Sequence, residues 1–167
     1  MITPVFELSV QLQEEIQHWI DKFPAGREAS AILMALRLVQ DTYGYLQDNQ
    51  IDAVADFLGM PRLQAQQVAN FYSMYRRKPC GKYVFKVCRS VSCHLQNANH
   101  IIETIQQTVN IGLNETSACG QFTLEETTCL GACCQAPCLI VNNDLYHLEM
   151  TPEKTRALIQ VLQDTCV

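Results

Sequence analysis

The apolar positions of the first half repeat at helical spacing. Leu12, Ile16, Trp19, Ile20 and Phe23 form one such set, with Gln, Glu and His between them. Ile32, Leu36, Val39, Tyr43 and Leu46 step by four, three, four and three, which predicts an amphipathic second helix. Phe23-Pro24-Ala25-Gly26 separates the two. Tyr43-Gly44-Tyr45 and the polar run Gln47-Asp48-Asn49-Gln50 end the second. Ile51, Val54 and Leu58 predict a short third helix closed by Gly59 and Pro61, and Leu63 to Tyr75 a fourth. Short connections between them favour a bundle. Phe71, Tyr72 and Tyr75 are expected in a core or a packed seam, and the isolated His18 at the surface.

After residue 78 the period changes. Tyr83 to Val87 reads as a strand, and Leu95, Ile101, Ile102 and Ile105 as a helix. Gly112 to Gly120 is loop, and Phe122 to Thr127 alternates as a strand. Cys138-Leu139-Ile140-Val141 is an apolar strand that turns at Asn142-Asn143-Asp144 into a hairpin partner, Leu145 to Leu148. Thr151 and Pro152 are an N-cap and a first helical position, opening a last helix with Leu158, Ile159 and Leu162. The order β-α-β-β-β-α is compatible with a thioredoxin-like layout, and other small α/β layouts survive. The expectation is an α+β chain: a helical bundle over residues 1–78 and an α/β domain over 79–167.

Composition sharpens that boundary. Of nine cysteines in 167 residues, eight lie between Cys80 and Cys138, and the first 79 residues hold none. At about 5% of the chain they fall below a disulfide scaffold. No apolar run approaches the ~18 residues of a membrane span, and the start has no signal-peptide pattern. A cytosolic location follows as the expectation, and clustered cysteines there bind metal or do redox work. The net charge of −5 argues against nucleic acid as the main partner. One basic run, Arg76, Arg77, Lys78, Lys82, Lys86 and Arg89, has no acid within it. It reads as a solvated surface or as a docking patch for an acidic partner.

Two short cysteine pairs stand at corresponding places, each after a strand. Cys88 and Cys93 have four residues between them; Cys129 and Cys133 have three. Both pairs read as loops rather than core. Two loops at one end of a sheet could bring four thiolates around a tetrahedral zinc or an iron–sulfur cluster, and spacing does not choose between them. The small neighbours Ser90, Ser92, Gly131 and Ala132 let backbone N–H groups approach sulfur. No Cys-x-x-Cys is present, which counts against a cluster-free thiol oxidoreductase. No G-x-G-x-x-G or P-loop offers a nucleotide site.

Cys88-Arg89-Ser90-Val91-Ser92-Cys93, Cys129-Leu130-Gly131-Ala132-Cys133 and Ala136-Pro137 resemble the 24 kDa [2Fe–2S] subunit family of respiratory complex I. Tyr43-Gly44-Tyr45-Leu46, Asn70-Phe71-Tyr72-Ser73, Val141-Asn142 and the Leu148–Lys154 segment extend the likeness over most of the chain. The resemblance implies a thioredoxin-like second domain in which Cys88, Cys93, Cys129 and Cys133 ligate one [2Fe–2S] cluster. It implies a partner subunit that binds FMN and NADH, and single-electron exchange between cluster and flavin. It also implies a heterodimer within a larger complex, peripheral on the cytoplasmic side of the inner membrane. Small diaphorase subunits of NAD-linked hydrogenases and formate dehydrogenases share the pattern, and a four-cysteine zinc interaction module is the other reading. All-cysteine ligation implies a potential nearer the about −400 mV of plant-type centres than that of a Rieske centre. Arg89 is a candidate to tune it. Cys134 and Cys138 depart from the family pattern. They read as small buried residues, or as partners in a labile disulfide or ligand swap. Cys80, Cys119 and Cys166 are expected to be structural or incidental. Pro137 stands where thioredoxin-like folds often carry a cis proline.

Overall fold

A computed structural model describes residues 6–164. The chain divides into two compact units, Met1–Pro79 and Cys80–Val167. Each has its own apolar core.

Among the described residues the first unit holds four α-helices: α1 (Val10–Ile20), α2 (Ile32–Tyr43), α3 (Asp48–Phe57) and α4 (Arg62–Phe71). The Ser9 side chain caps α1 by accepting from the Leu12 N–H at 3.4 Å. A 3-10 turn, Glu28–Ala31, leads into α2, which ends at Gly44 with a φ of 83°. The apolar stripes meet as predicted: Ile16, Leu36, Val39, Ile51 and Val54 are fully buried. Gln47 to Gln50, expected to close the second helix, instead start α3. The Gln50 side chain accepts from the Gln47 N–H at 2.8 Å, a capping box that the polar run makes possible.

The fourth helix stops at Phe71, four residues short of its expected end. Its aromatic set divides. Tyr75 is buried and donates its hydroxyl to the Leu33 carbonyl at 2.6 Å. Phe71 is 81% exposed, which overturns its expected place in the core. The buried Gln40 side chain explains the early stop. It donates to the Met74 carbonyl at 3.1 Å and accepts from the Arg76 N–H at 2.6 Å, fixing a turn where the helix would have continued.

The second unit is a four-stranded sheet in the order β2-β1-β3-β4. Its strands are β1 (Tyr83–Cys88), β2 (Phe122–Thr127), β3 (Leu139–Val141) and β4 (Leu145–His147). The pair β1–β2 is parallel, whereas β1–β3 and β3–β4 are antiparallel. A parallel pair needs a crossover, supplied here by α5 (Val91–Leu95) and α6 (Ala98–Val109). One expected helix is thus two, broken at Asn97 in the left-handed conformation (φ 62°), and Leu95 is exposed rather than buried. The last helix, α7 (Pro152–Asp164), opens at Thr151 and Pro152 as predicted, with the Thr151 hydroxyl accepting from the Lys154 N–H at 3.3 Å.

Register aligns the core. Phe85 faces Leu124 and Val141, and Val87 faces Leu139. These side chains pack with Ile101, Ile105 and Ile159, all 2% exposed or less. The β3–β4 turn uses Asn142 and Asn143, both left-handed (φ 55° and 63°), a conformation that Asn tolerates. The Asn142 side chain accepts from the Val84 N–H at 2.9 Å and donates to the Lys82 carbonyl at 3.0 Å, tying this turn to the start of β1. Among the described residues no helix is long and apolar enough to cross a membrane.

Candidate metal centre

Because β1 and β2 run parallel side by side, their C-terminal ends share one edge of the sheet. Cys88 closes β1 opposite Thr127, the last residue of β2, and Cys129 follows two residues later. The chain after β1 turns into α5, which carries Cys93. The chain after β2 reaches a 3-10 turn, Cys133–Gln135. Both cysteine pairs thus emerge at the same end.

Their surroundings differ. Cys129 and Cys133 are exposed, with their sulfurs 3.9 Å apart. Cys88 and Cys93 are 1% and 0% exposed, one ending a strand and the other on a helix, which corrects the expectation that both pairs lie in loops. Cys93 is buried where α5 packs against α6 and the Cys133–Gln135 turn. The sequence between them is too polar to show this. Cys138 joins the buried pair: the sulfurs of Cys88, Cys93 and Cys138 all lie within 4.8 Å of one another, and Cys93 Sγ is 3.8 Å from Cys138 Sγ. The position of Cys138 follows from strand pairing. Its carbonyl accepts from the Cys88 N–H at 3.1 Å, one step beyond the Val87–Leu139 pair, so it stands across from Cys88.

Two thiolates on one tetrahedral ion, each ~2.3 Å from it, stand about 3.8 Å apart. The separations of 3.8 Å and 3.9 Å fall at that value. Donors are also in place. The Gly131 N–H donates to Cys129 Sγ at 3.3 Å, and Ser90 Oγ lies 3.4 Å from Cys88 Sγ. Burial pushes the Cys88 thiol up, but the Ser90 hydroxyl and the Ser90 and Leu130 N–H groups outweigh it and bring the thiol down to about 7. Burial raises Cys93, and burial together with Cys93 pushes Cys138 up to about 12. An all-sulfur donor set at tetrahedral spacing, with N–H groups aimed at sulfur, fits a thiolate-bound inorganic centre.

Cys134 is exposed, against its reading as a small buried residue, whereas Cys138 conforms to it. Cys119 is exposed, and its Sγ lies 3.2 Å from Ser117 Oγ, a contact that holds its thiol below the usual range. Cys166 lies outside the described residues. The Ala136–Pro137 bond is cis. Three of the six basic residues of the run pair with acids of the chain. Arg77 bonds Asp48, Lys86 Nζ lies 3.6 Å from Glu125, and Arg89 Nη1 lies 2.5 Å from Glu126. An open groove beside the centre is bordered by Arg89, Ser90, Val91, Glu126 and Cys129.

Residues 16–163 match the family model described as thioredoxin-like [2Fe–2S] ferredoxin. The chain is similar to the E subunit of NADH-quinone oxidoreductase from Escherichia coli (strain K12), 37% identical over 158 residues, 95% of this chain and 93% of that protein. It is similar to the protein of the same name from Aquifex aeolicus (strain VF5), 34% identical over 149 residues, 89% of this chain and 92% of that protein. Among solved structures it resembles an NAD+-reducing [NiFe]-hydrogenase in the air-oxidized state, with a TM-score of 0.70 and 18% identity. That match covers 81% of this chain and spans only 23% of the solved chain, and it speaks to the fold.

Proposed function

Because the chain belongs to the thioredoxin-like [2Fe–2S] ferredoxin family, we propose that it is the electron-transfer subunit of an NADH:quinone oxidoreductase. The observation that carries this reading is the likeness to the Escherichia coli protein along nearly the whole of both chains. In this reading Cys88, Cys93, Cys129 and Cys133 hold the cluster. A [2Fe–2S] cluster bound there supplies reversible one-electron transfer at low potential.

The chain's own residues account for the rest. Cys88 and Cys93 seat one side of the centre in the core, away from water. Cys129 and Cys133 leave the other side at the surface, where a partner can approach. The Ser90 hydroxyl and the N–H groups of Ser90, Leu130 and Gly131 stabilise negative charge on sulfur without adding a proton. Val91 and Leu95 on α5 are 75% and 72% exposed beside the centre, an apolar rim suited to a protein surface. The partner in this reading is the subunit that binds FMN and NADH, and the pair works on the cytoplasmic side of the inner membrane as part of a larger complex.

Low-temperature EPR on anaerobically purified protein tests this. A sample silent when oxidised that gains a spin-half signal with dithionite bears the proposal out. Silence in both states, with zinc bound and no iron, refutes it and leaves a zinc-stabilised module.

A further inference from the structure

The end of the sheet adds a fifth thiol to the four that a [2Fe–2S] cluster takes. The fifth, Cys138, is 2% exposed and lies nearer to Cys93 than the breadth of the buried trio requires: 3.8 Å, against a limit of 4.8 Å for all three. That separation matches two sulfurs sharing one tetrahedral ion, ~3.8 Å. Cys134, the other extra thiol, is exposed and stands outside this trio.

The two buried neighbours are carried differently. Cys93 rides on α5, a helix of five residues, too short to hold itself without its packing. Cys138 is anchored in the sheet: its carbonyl accepts from the Cys88 N–H at 3.1 Å, and the strand that follows it pairs with β1 over three residues. The strand that presents Cys88 therefore also fixes Cys138.

We infer that Cys138 is a reserve ligand, whose thiolate takes the place of Cys93 on the same metal ion when Cys93 is lost or displaced. The inference rests on the iron–sulfur reading above. The exchange breaks the bond from the metal to Cys93 sulfur and forms one to Cys138 sulfur. The Cys138 thiol gives up a proton, the released Cys93 thiolate takes one, and no electron moves. The tetrahedral all-sulfur environment is kept, so α5 can open without loss of the cluster.

The test compares full-length wild type, Cys138→Ala, Cys93→Ala and the double variant, reconstituted anaerobically with ferrous iron and sulfide. Bound iron, bound sulfide and EPR of the reduced state are read. Wild type and Cys138→Ala are expected to load equally. Cys93→Ala is expected to keep at least half of the wild-type iron, and the double variant at least tenfold less. Equal loading of Cys93→Ala and the double variant, whether both full or both empty, overturns the inference while leaving the cluster reading intact. An iron-free wild type overturns both. Should Cys93→Ala lose its helical circular dichroism, the near-isosteric Cys93→Ser replaces it, read by resonance Raman. Four iron–thiolate bonds that depend on Cys138 support the inference, and ligation by the serine oxygen refutes it.

Discussion

Gly81 stands just before β1, and replacing it with alanine tests how the two parallel strands meet. A Cβ built there lies 2.7 Å from the Phe122 nitrogen and 2.8 Å from the carbonyl carbons of Gln121 and Phe122. Carbon contacts are comfortable at about 3.5–4.0 Å, so the strand must retreat by most of an ångström. It cannot do so freely. The Lys82 and Tyr83 N–H groups donate to the Gly120 and Gln121 carbonyls at 3.2 Å and 2.8 Å, and the Gly81 N–H donates to Thr123 Oγ1 at 2.7 Å. Overpacking costs about 1–3 kcal/mol and a weakened buried hydrogen bond about 1 kcal/mol, so Gly81→Ala should cost about 2–4 kcal/mol. Gly120→Ala is the control. Its φ is 70° and nothing lies within 4 Å of the added carbon, leaving only the left-handed penalty, roughly 1–2 kcal/mol. Hydrogen exchange of the β1 and β2 amides reads the difference. At 1.4 kcal/mol per tenfold, exchange in Gly81→Ala should be roughly 30- to 700-fold faster than in wild type. Exchange no faster than in Gly120→Ala would refute the steric argument.

Three further outcomes are expected. Arg89→Glu should lower the reduction potential, because it puts a negative charge beside Cys88 and opposite Glu126, and Glu126→Gln should raise it by freeing Arg89 from its 2.5 Å ion pair. EPR-monitored redox titration checks both, and an unchanged potential in Arg89→Glu removes that residue from the tuning. Asn142→Ala should cost about 2–3 kcal/mol, from two hydrogen bonds and a left-handed backbone; urea unfolding measures it, with Asn142→Asp retaining the acceptor and part of the loss. Burial holds the His147 pKa below 6.5 in the folded chain, so as pH falls through 6.5 the unfolded chain takes the proton first and stability drops. His147→Gln should flatten that part of the stability profile in thermal unfolding between pH 7.5 and 5.5, and an identical slope would show that His147 does not contribute.

Local pattern determined most of the elements. Apolar spacing in α1 to α3, the largely apolar run of β1, the alternation in β2 and the Thr151-Pro152 start of α7 are each short-range properties, legible within one window of sequence. The paired spacing of Cys88 with Cys93 and of Cys129 with Cys133 is legible because each pair lies within six residues of chain. Tertiary structure decided what depends on partners far along the chain. Gln40 holds Met74 and Arg76, 34 and 36 residues away, and so ends α4 early and leaves Phe71 outside. Asn97 breaks one apolar stripe into α5 and α6, and Cys93 on α5 is buried. Ion pairs to Asp48, Glu125 and Glu126 take up much of a basic run that looks unpaired in sequence. The place of Cys138 beside Cys93, 45 residues apart, comes from the register of β3 on β1. Strand pairing and long-range hydrogen bonds are contacts between segments, and no window of sequence contains both sides of them.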